Sequence, residues 1–452
     1  MIEWVRDVNK RSARARDTFR AQLWPLPALA VVVAVGLGRA LPVLDAALDN
    51  DMPQDVAGLL FGGGPEAARS LLEAISGSLI TVTSLTFSLT VVTLQLASSQ
   101  FSPRLLRTFT RDRFVHATLA LFVATFAFAL TVLRSVRTGG EEGGSFVPEI
   151  SVTVAFVLAV ASVMALVLFL AHLTREIRVE TMMRRVHSET RATMERVFPE
   201  DRPDQPPPPG MTGTPVPISS ASSGFLTAVD EGALLRAATA AGAVLRIDCP
   251  PDSSLVEGVP FATAWPLEPA GALTPEETAR LQQQVNAAVV TGFERTSVQD
   301  VGLGFRQLVD VTARALSPGI NDPTTAVHAL SHLSALLCRL AGRNLSARVL
   351  TDDNGLVRVQ LALPSFEDLL ELAASQPRLY GVKDPAVAQR ILELLREVSC
   401  CDREGRYRPA IHEQLARMRE AIEASTYIQA ERRHLLQAVN DVAAPPVIPP
   451  GP

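Results

Sequence analysis

Four long apolar runs commit the first part of this chain to a membrane. A bilayer core is crossed by about 20 mainly apolar residues in helical form, and residues 23–44, 71–96, 114–136 and 152–173 each reach that length. The first run is not a cleavable leader: its polar lead is long, it has full spanning length, and three more runs follow it. After residue 173 the chain reads as ordinary soluble protein. The expected fold class is a membrane α-helical unit of four transmembrane helices, residues 23–173, followed by a mainly α, α+β cytoplasmic region.

Orientation follows from where Lys and Arg sit. A basic segment, residues 1–22, carries Arg6, Lys10, Arg11, Arg14, Arg16 and Arg20. The loop after the first run is acidic, with Asp45, Asp49, Asp51, Asp55 and Glu66; the next is basic, with Arg104, Arg107, Arg111 and Arg113. Glu141, Glu142 and Glu149 follow the third run, and Arg175, Arg178, Arg184 and Arg185 follow the fourth. The alternation holds at every crossing. Both termini and the C-terminal region are therefore expected on the cytoplasmic side of an inner (plasma) membrane, with the lipid bilayer as the first partner. A net charge of −5 argues against nucleic acid as a main partner, because such a binder needs a concentrated basic face. The four cysteines show no metal-ligand or CxxC spacing and are expected as reduced thiols.

The second run differs from the others. At about 3.6 residues per turn its hydroxyl residues fall into two stripes: Ser76, Thr83, Thr86, Thr90 and Thr93 on one side, and Gly77, Thr81, Ser84, Ser88, Gln95 and Ser99 on the other. Either one stripe, taken as the first, lines a wet pathway while the other packs against neighbouring helices, or both serve close helix packing through bonds back to their own carbonyls. The packing device is plain in the first run, where Ala30, Ala34 and Gly38 recur every four residues, and in the fourth, at Ala155, Ala159 and Ser162. Arg39, Glu73 and Arg134 lie near the outer ends of their runs. They either snorkel to the interface or pair into a charged outer vestibule.

Past the second run, Ser102 and Pro103 make a helix start, an N-cap followed by Pro at the first helical position. The stretch LASSQFSPRLLR there, together with ALSPGINDPTTA further on, resembles a bacterial predicted-membrane-protein family of unknown function. The likeness runs from the first span to about residue 442. It implies a bacterial multi-pass membrane protein and supplies no catalytic residues.

Beyond the membrane, residues 174–200 continue as a helical extension and residues 201–214 form a Pro-rich linker expected to separate the membrane unit from the rest. Residues 215–273 read as a small α+β module and 274–442 as a mainly helical domain with a hairpin near 347–363, turned at Asn354–Gly355. Thr274 and Glu277 spell a capping box. Later helices are expected over 365–375, 385–398, 409–425 and 430–442, before a disordered tail at 443–452. In the second family motif, Ser317, Asn321, Asp322 and Thr325 form either a functional cytoplasmic loop or a tight helix–helix corner.

Phosphate-binding, nucleophile-elbow, zinc-protease and dinucleotide motifs are all missing from the sequence. No enzyme activity, cofactor or metal is expected; His328 and His332, four residues apart, lack a supporting ligand pattern. The favoured expectation is a homo-oligomeric channel or transport-type pore lined by the second span and gated by its cytoplasmic domain. The alternative is a membrane-anchored sensor or scaffold, with the spans serving only as anchor.

Overall fold

A computed structural model of the chain describes residues 24–48, 60–100, 112–137, 146–176, 178–200, 213–267, 271–295 and 299–444. The basic N-terminal segment, Asp49, Asp51, Asp55, the stretch with Ser102, Pro103, Arg104, Arg107 and Arg111, Glu141 and Glu142, the linker through residue 212 and the tail from residue 445 lie outside the described residues. The chain divides into two compact units, Met1–Arg178 and Val179–Pro452.

The membrane unit holds four helices long and apolar enough to span: α1 (Pro25–Leu48), α2 (Pro65–Gln100), α3 (Arg113–Leu133) and α4 (Glu149–Glu176). Helix α2 has 36 residues, about 54 Å at 1.5 Å per residue, so it extends well past a core of about 30 Å. Helix α3 packs on the other three, and Phe122, Phe128, Ala129 and Val132 on it are buried. Close approach to α1 rests on Gly38, where a Cβ would come 2.9 Å from Thr131 Cβ. One end of the unit is tied by Asp45, which accepts bonds from Ile150 N (2.9 Å), Ser151 N (3.1 Å) and Ser151 Oγ (2.6 Å). It thereby satisfies orphan donors at the start of α4. At the other end Asp112 caps α3 by accepting from Phe114 N at 2.8 Å and meets His172 of α4 at 2.5 Å.

The second unit begins with α5 (Val179–Val197), which packs on α8 (Val301–Ala315) and α9 (Pro323–Ala341). The helical extension expected at 174–200 is thus split, and most of it is part of the core of the second unit. Correspondingly, the Pro-rich stretch does not separate the two units; it connects α5 to the rest of the second one. The cause is the apolar side of α5: Met182, Met183, Val186 and Met194 are buried, and burying such side chains is worth about 2 kcal/mol each.

The strands are β1 (Val216–Ser219), β2 (Gly224–Val229), β3 (Ala243–Ile247), β4 (Ser254–Leu255), β5 (Pro260–Pro266), β6 (Val289–Gly292), β7 (Arg348–Thr351) and β8 (Val357–Leu361). They form one sheet in the order β1-β5-β3-β8-β7 and a smaller one in the order β4-β2-β6. All pairings are antiparallel except β3 with β8, in register Leu245↔Val359 and Ile247↔Leu361. The hairpin expected near 347–363 therefore belongs to the same sheet as the module expected at 215–273. Those two regions interleave, where the sequence reading set them in succession. Helix α6 (Glu231–Ala240) and α7 (Pro275–Ala288), the latter with its Thr274–Glu277 capping box, cover the sheet around Leu234, Leu245, Leu281, Val285 and Val359.

The remaining helices are α10 (Phe366–Gly381), α11 (Pro385–Cys401), α12 (Arg408–Ala424) and α13 (Gln429–Ala443). Helix α10 outruns the expected end near residue 375 because Pro377 is accommodated, buried, in its last turns.

Candidate functional site

The two parallel strands end side by side: Ala362 N donates to Ile247 O at 3.2 Å just past both. In open sheets the space beyond the carboxyl ends of parallel strands is where ligands collect. Here that space is a cavity of about 360 Å³. Its apolar wall includes Val197, Val229, Ile247 and Leu361, and its polar groups are Arg196, Glu231, Gln299, Arg348 and Cys249. A mainly apolar hollow of this size with a few convergent polar groups has the character of a small-molecule site.

Each polar group is placed by its own element. Glu231 stands in the first turn of α6 behind the N-cap Asp230 and pairs with Arg348 of β7 at 2.8 Å. Gln299 accepts from Val229 N at 3.0 Å, which fixes the end of β2. Arg196 comes from the last turn of α5 and donates to Thr193 at 3.0 Å. The Cys249 thiol is pushed up to about 11 by burial and by the neighbouring Asp248 carboxylate, so it is a protonated, unreactive wall.

An ion cluster adjoins two lining residues in sequence, Pro251 and Gln299. Arg295 bridges Asp252 and Asp300, the second at 2.9 Å. Asp300 also caps α8 by accepting from Leu303 N at 2.8 Å. Burial and the nearby Asp300 raise the Asp252 carboxyl to about 6 against the pull of Arg295. Burial also raises Asp300, opposed by its bond from Arg295. Asp252 is one of two described non-glycine residues with positive φ, at +92°. Gly302 lies against this cluster: a Cβ there would sit 3.3–3.6 Å from Asp300, Asp252 and Arg295, close to ordinary contact. Gly304, two residues on, serves packing: it meets Thr190 of α5, whose Oγ1 would be 1.7 Å from a Cβ.

The hydroxyl stripe singled out on α2 faces inward. Ser76, Thr86, Thr90 and Thr93 are buried and Thr83 half-buried. Thr83, Thr90 and Thr93 donate to carbonyls of Leu79, Thr86 and Leu89 at 2.6–2.8 Å, and Ser76 to Glu73 O at 3.1 Å. Thr86 Oγ1 has no partner among the described residues. The opposite stripe, with Gly77, Thr81, Ser84 and Ser88, is exposed.

Of the three outer charges, Arg39 and Arg134 line one cavity of about 840 Å³ together with Arg137, which was not anticipated, and Glu73 is not among its lining residues. Among the described residues no ion pair joins Glu73 to either arginine.

The Ser317–Thr325 loop is a corner in which Ser317, Asp322 and Thr325 bond locally. Ser317 Oγ donates to Arg314 O at 2.7 Å, Asn321 takes φ +48°, and Asp322 accepts from Thr325 N at 3.1 Å and Thr325 Oγ1 at 2.6 Å. Those bonds from Thr325 hold the Asp322 carboxyl below the usual carboxylate range. His332 packs ring to ring on His187 of α5, with centroids 5.1 Å apart, and no group of metal-competent side chains occurs among the described residues.

No local stretch of sequence marks the cavity, because its walls come from places far apart in the chain, from Arg196 to Leu363. The one available signal was the end of each alternating strand.

A family model described as "Predicted membrane protein (DUF2254)" matches residues 20–397, in agreement with the resemblance carried by the two motifs. An uncharacterized protein of Mycobacterium bovis is 35% identical over 438 residues, 95% of this chain and 82% of its own length. An uncharacterized protein of Mycobacterium tuberculosis has the same identity and coverage. No solved structure matches the chain.

Proposed function

We propose that this chain, which belongs to the DUF2254 family of predicted membrane proteins, works as a membrane-anchored sensor of a small amphipathic anion. The observation that carries this reading is the cavity at the ends of β3 and β8, one wall of which is α5. Two arginines and one glutamate among its lining residues favour a ligand with one negative charge, and the apolar wall favours a ring or short chain behind that charge. Because α5 starts at Val179 and α4 ends at Glu176, a ligand that tightens or loosens α5 acts on a helix next in sequence to a span. The setting is the inner membrane, with both termini inside.

The test uses full-length protein in nanodiscs and benzoate and hexanoate as probes. Hydrogen exchange of α5 amides is expected to slow with probe, and the effect to vanish in Ala362→Trp, which fills the cavity. Unchanged α5 exchange with both probes would count against the reading.

The exposed stripe of α2 favours a second reading. Several copies with Gly77, Thr81, Ser84 and Ser88 turned to a common axis would make a homo-oligomeric pore gated by the soluble unit. Ion flux into liposomes, altered by Thr81→Leu, is its expected mark; a monomer without flux would dismiss it.

A further inference from the structure

The cavity of about 840 Å³ in the membrane unit is lined by three exposed arginines, Arg39, Arg134 and Arg137. The backbone brings them together. Helices α1 and α3 approach at Gly38 against Thr131, which sets Arg39, the next residue, near Arg134, the C-cap of α3. Arg137 is held by a two-bond bridge with Phe146, N to O at 3.1 Å each way.

Like charges gathered in one hollow repel unless something opposes them. The carboxyl ends of α1 and α3 each carry about half a negative charge, which offsets one of the three. Asp45, in the last turns of α1, is 4% exposed and already occupied by Ile150 and Ser151. Among the described residues no carboxylate lines the cavity. Thr131 and Ser135, which do line it, donate their hydroxyls to Ala127 O and Val132 O. Among the described residues, the cavity thus presents arginine charge beside the apolar sides of Val35, Val43 and Leu130.

We propose that this cavity binds a phosphate group. The guanidinium fork fits phosphate oxygens two at a time, and such charge-assisted bonds are the strong ones. The apolar wall beside the arginines suits the acyl part of an anionic phospholipid, and the same charge would hold free phosphate. By the orientation read from the loops, this end of the bundle is the outer one. The proposal does not depend on the sensor reading.

The test uses full-length protein in mild detergent. Its binding to phosphatidylglycerol, phosphatidylcholine and inorganic phosphate is measured by thermal shift at constant ionic strength. Wild type is expected to bind phosphatidylglycerol more tightly than phosphatidylcholine. Each of Arg39→Gln, Arg134→Gln and Arg137→Gln should weaken that binding about tenfold, and Arg69→Gln, outside the cavity, should leave it unchanged. A parallel loss of phosphate binding in the same variants assigns the site to the free anion as well; loss with the lipid alone assigns it to the headgroup. Equal responses to the two lipids without any response to phosphate overturn the proposal. So does wild-type affinity in all three single variants, which a snorkelling role would give. Arg→Lys at the same positions, keeping charge and fold, should retain part of the affinity and so separates charge recognition from unfolding.

Discussion

Each unit contains a close helix crossing made the same way, a glycine set against a threonine. In the membrane unit Gly38 of α1 faces Thr131 of α3, whose Oγ1 donates to Ala127 O at 2.7 Å. In the soluble unit Gly304 of α8 faces Thr190 of α5, whose Oγ1 donates to Val186 O at 2.6 Å. The difference lies in which side of the threonine is presented and in the surrounding solvent. Gly38 looks at the carbon side, 2.9 Å from Cβ and 3.0 Å from Cγ2; Gly304 looks at the hydroxyl, at 1.7 Å. Helices that part in lipid exchange one apolar contact for another. Parting α5 from α8 in water uncovers Met182, Met183, Val186 and Met194. One sequence device thus holds two contacts of unequal tolerance.

The comparison breaks most directly at Gly304. Gly304→Ala is expected to destabilise the soluble unit by about 3 kcal/mol, the upper end of overpacking, read as a lowered denaturation midpoint. Thr190→Gly should recover part of that loss in the double variant. A Gly304→Ala midpoint equal to wild type would mean that the crossing is not tight. Gly38→Ala is expected to cost less, about 1 kcal/mol, in the thermal unfolding of the full-length protein in detergent. If it costs more than Gly304→Ala, the solvent argument fails.

The smallest effect sharpens the contrast through pH. His187 and His332, on facing sides of the α5–α9 contact, are both held below the usual histidine value, first by burial and then by charges around them: Arg184, Arg191, Arg339 and His328. The folded state binds fewer protons there than the unfolded one, so this contribution is present above about pH 6.5 and is lost as pH falls below it. The opening equilibrium of α5, read as amide exchange divided by the intrinsic rate at each pH, should rise about threefold between neutral pH and pH 5.5, and His187→Gln should flatten that rise. Asp252 runs the other way: with its carboxyl raised to about 6, its contribution is present below about pH 4 and lost as pH rises through 6. No corresponding pH slope is expected at the α1–α3 crossing, where the facing groups are Gly38 and Thr131.

What the sequence made legible were the features that are local. Span lengths, the Thr274–Glu277 box and the Asn354–Gly355 turn each depend on residues within a few positions of one another. The striping of α2 was legible as well, but the sequence does not distinguish its two sides, and the stripe chosen for water is the one packed inward. The parallel pairing of β3 with β8 joins residues 245 and 359, and nothing near either position announces it. The candidate cavity depends on that pairing, which is why it was hidden. Helix α5 looked like an extension of the last span because its pattern is continuous with it; only the buried methionines assign it to the soluble unit.

That assignment of α5 has a consequence for the order of synthesis. The chain emerges from its N-terminus, so α5 is complete roughly a hundred residues before α8, its first packing partner, exists. At 5–20 residues per second this is an interval of about 5–20 s. Through that interval an amphipathic helix, newly made behind the fourth span, carries an apolar side with no protein yet built to cover it.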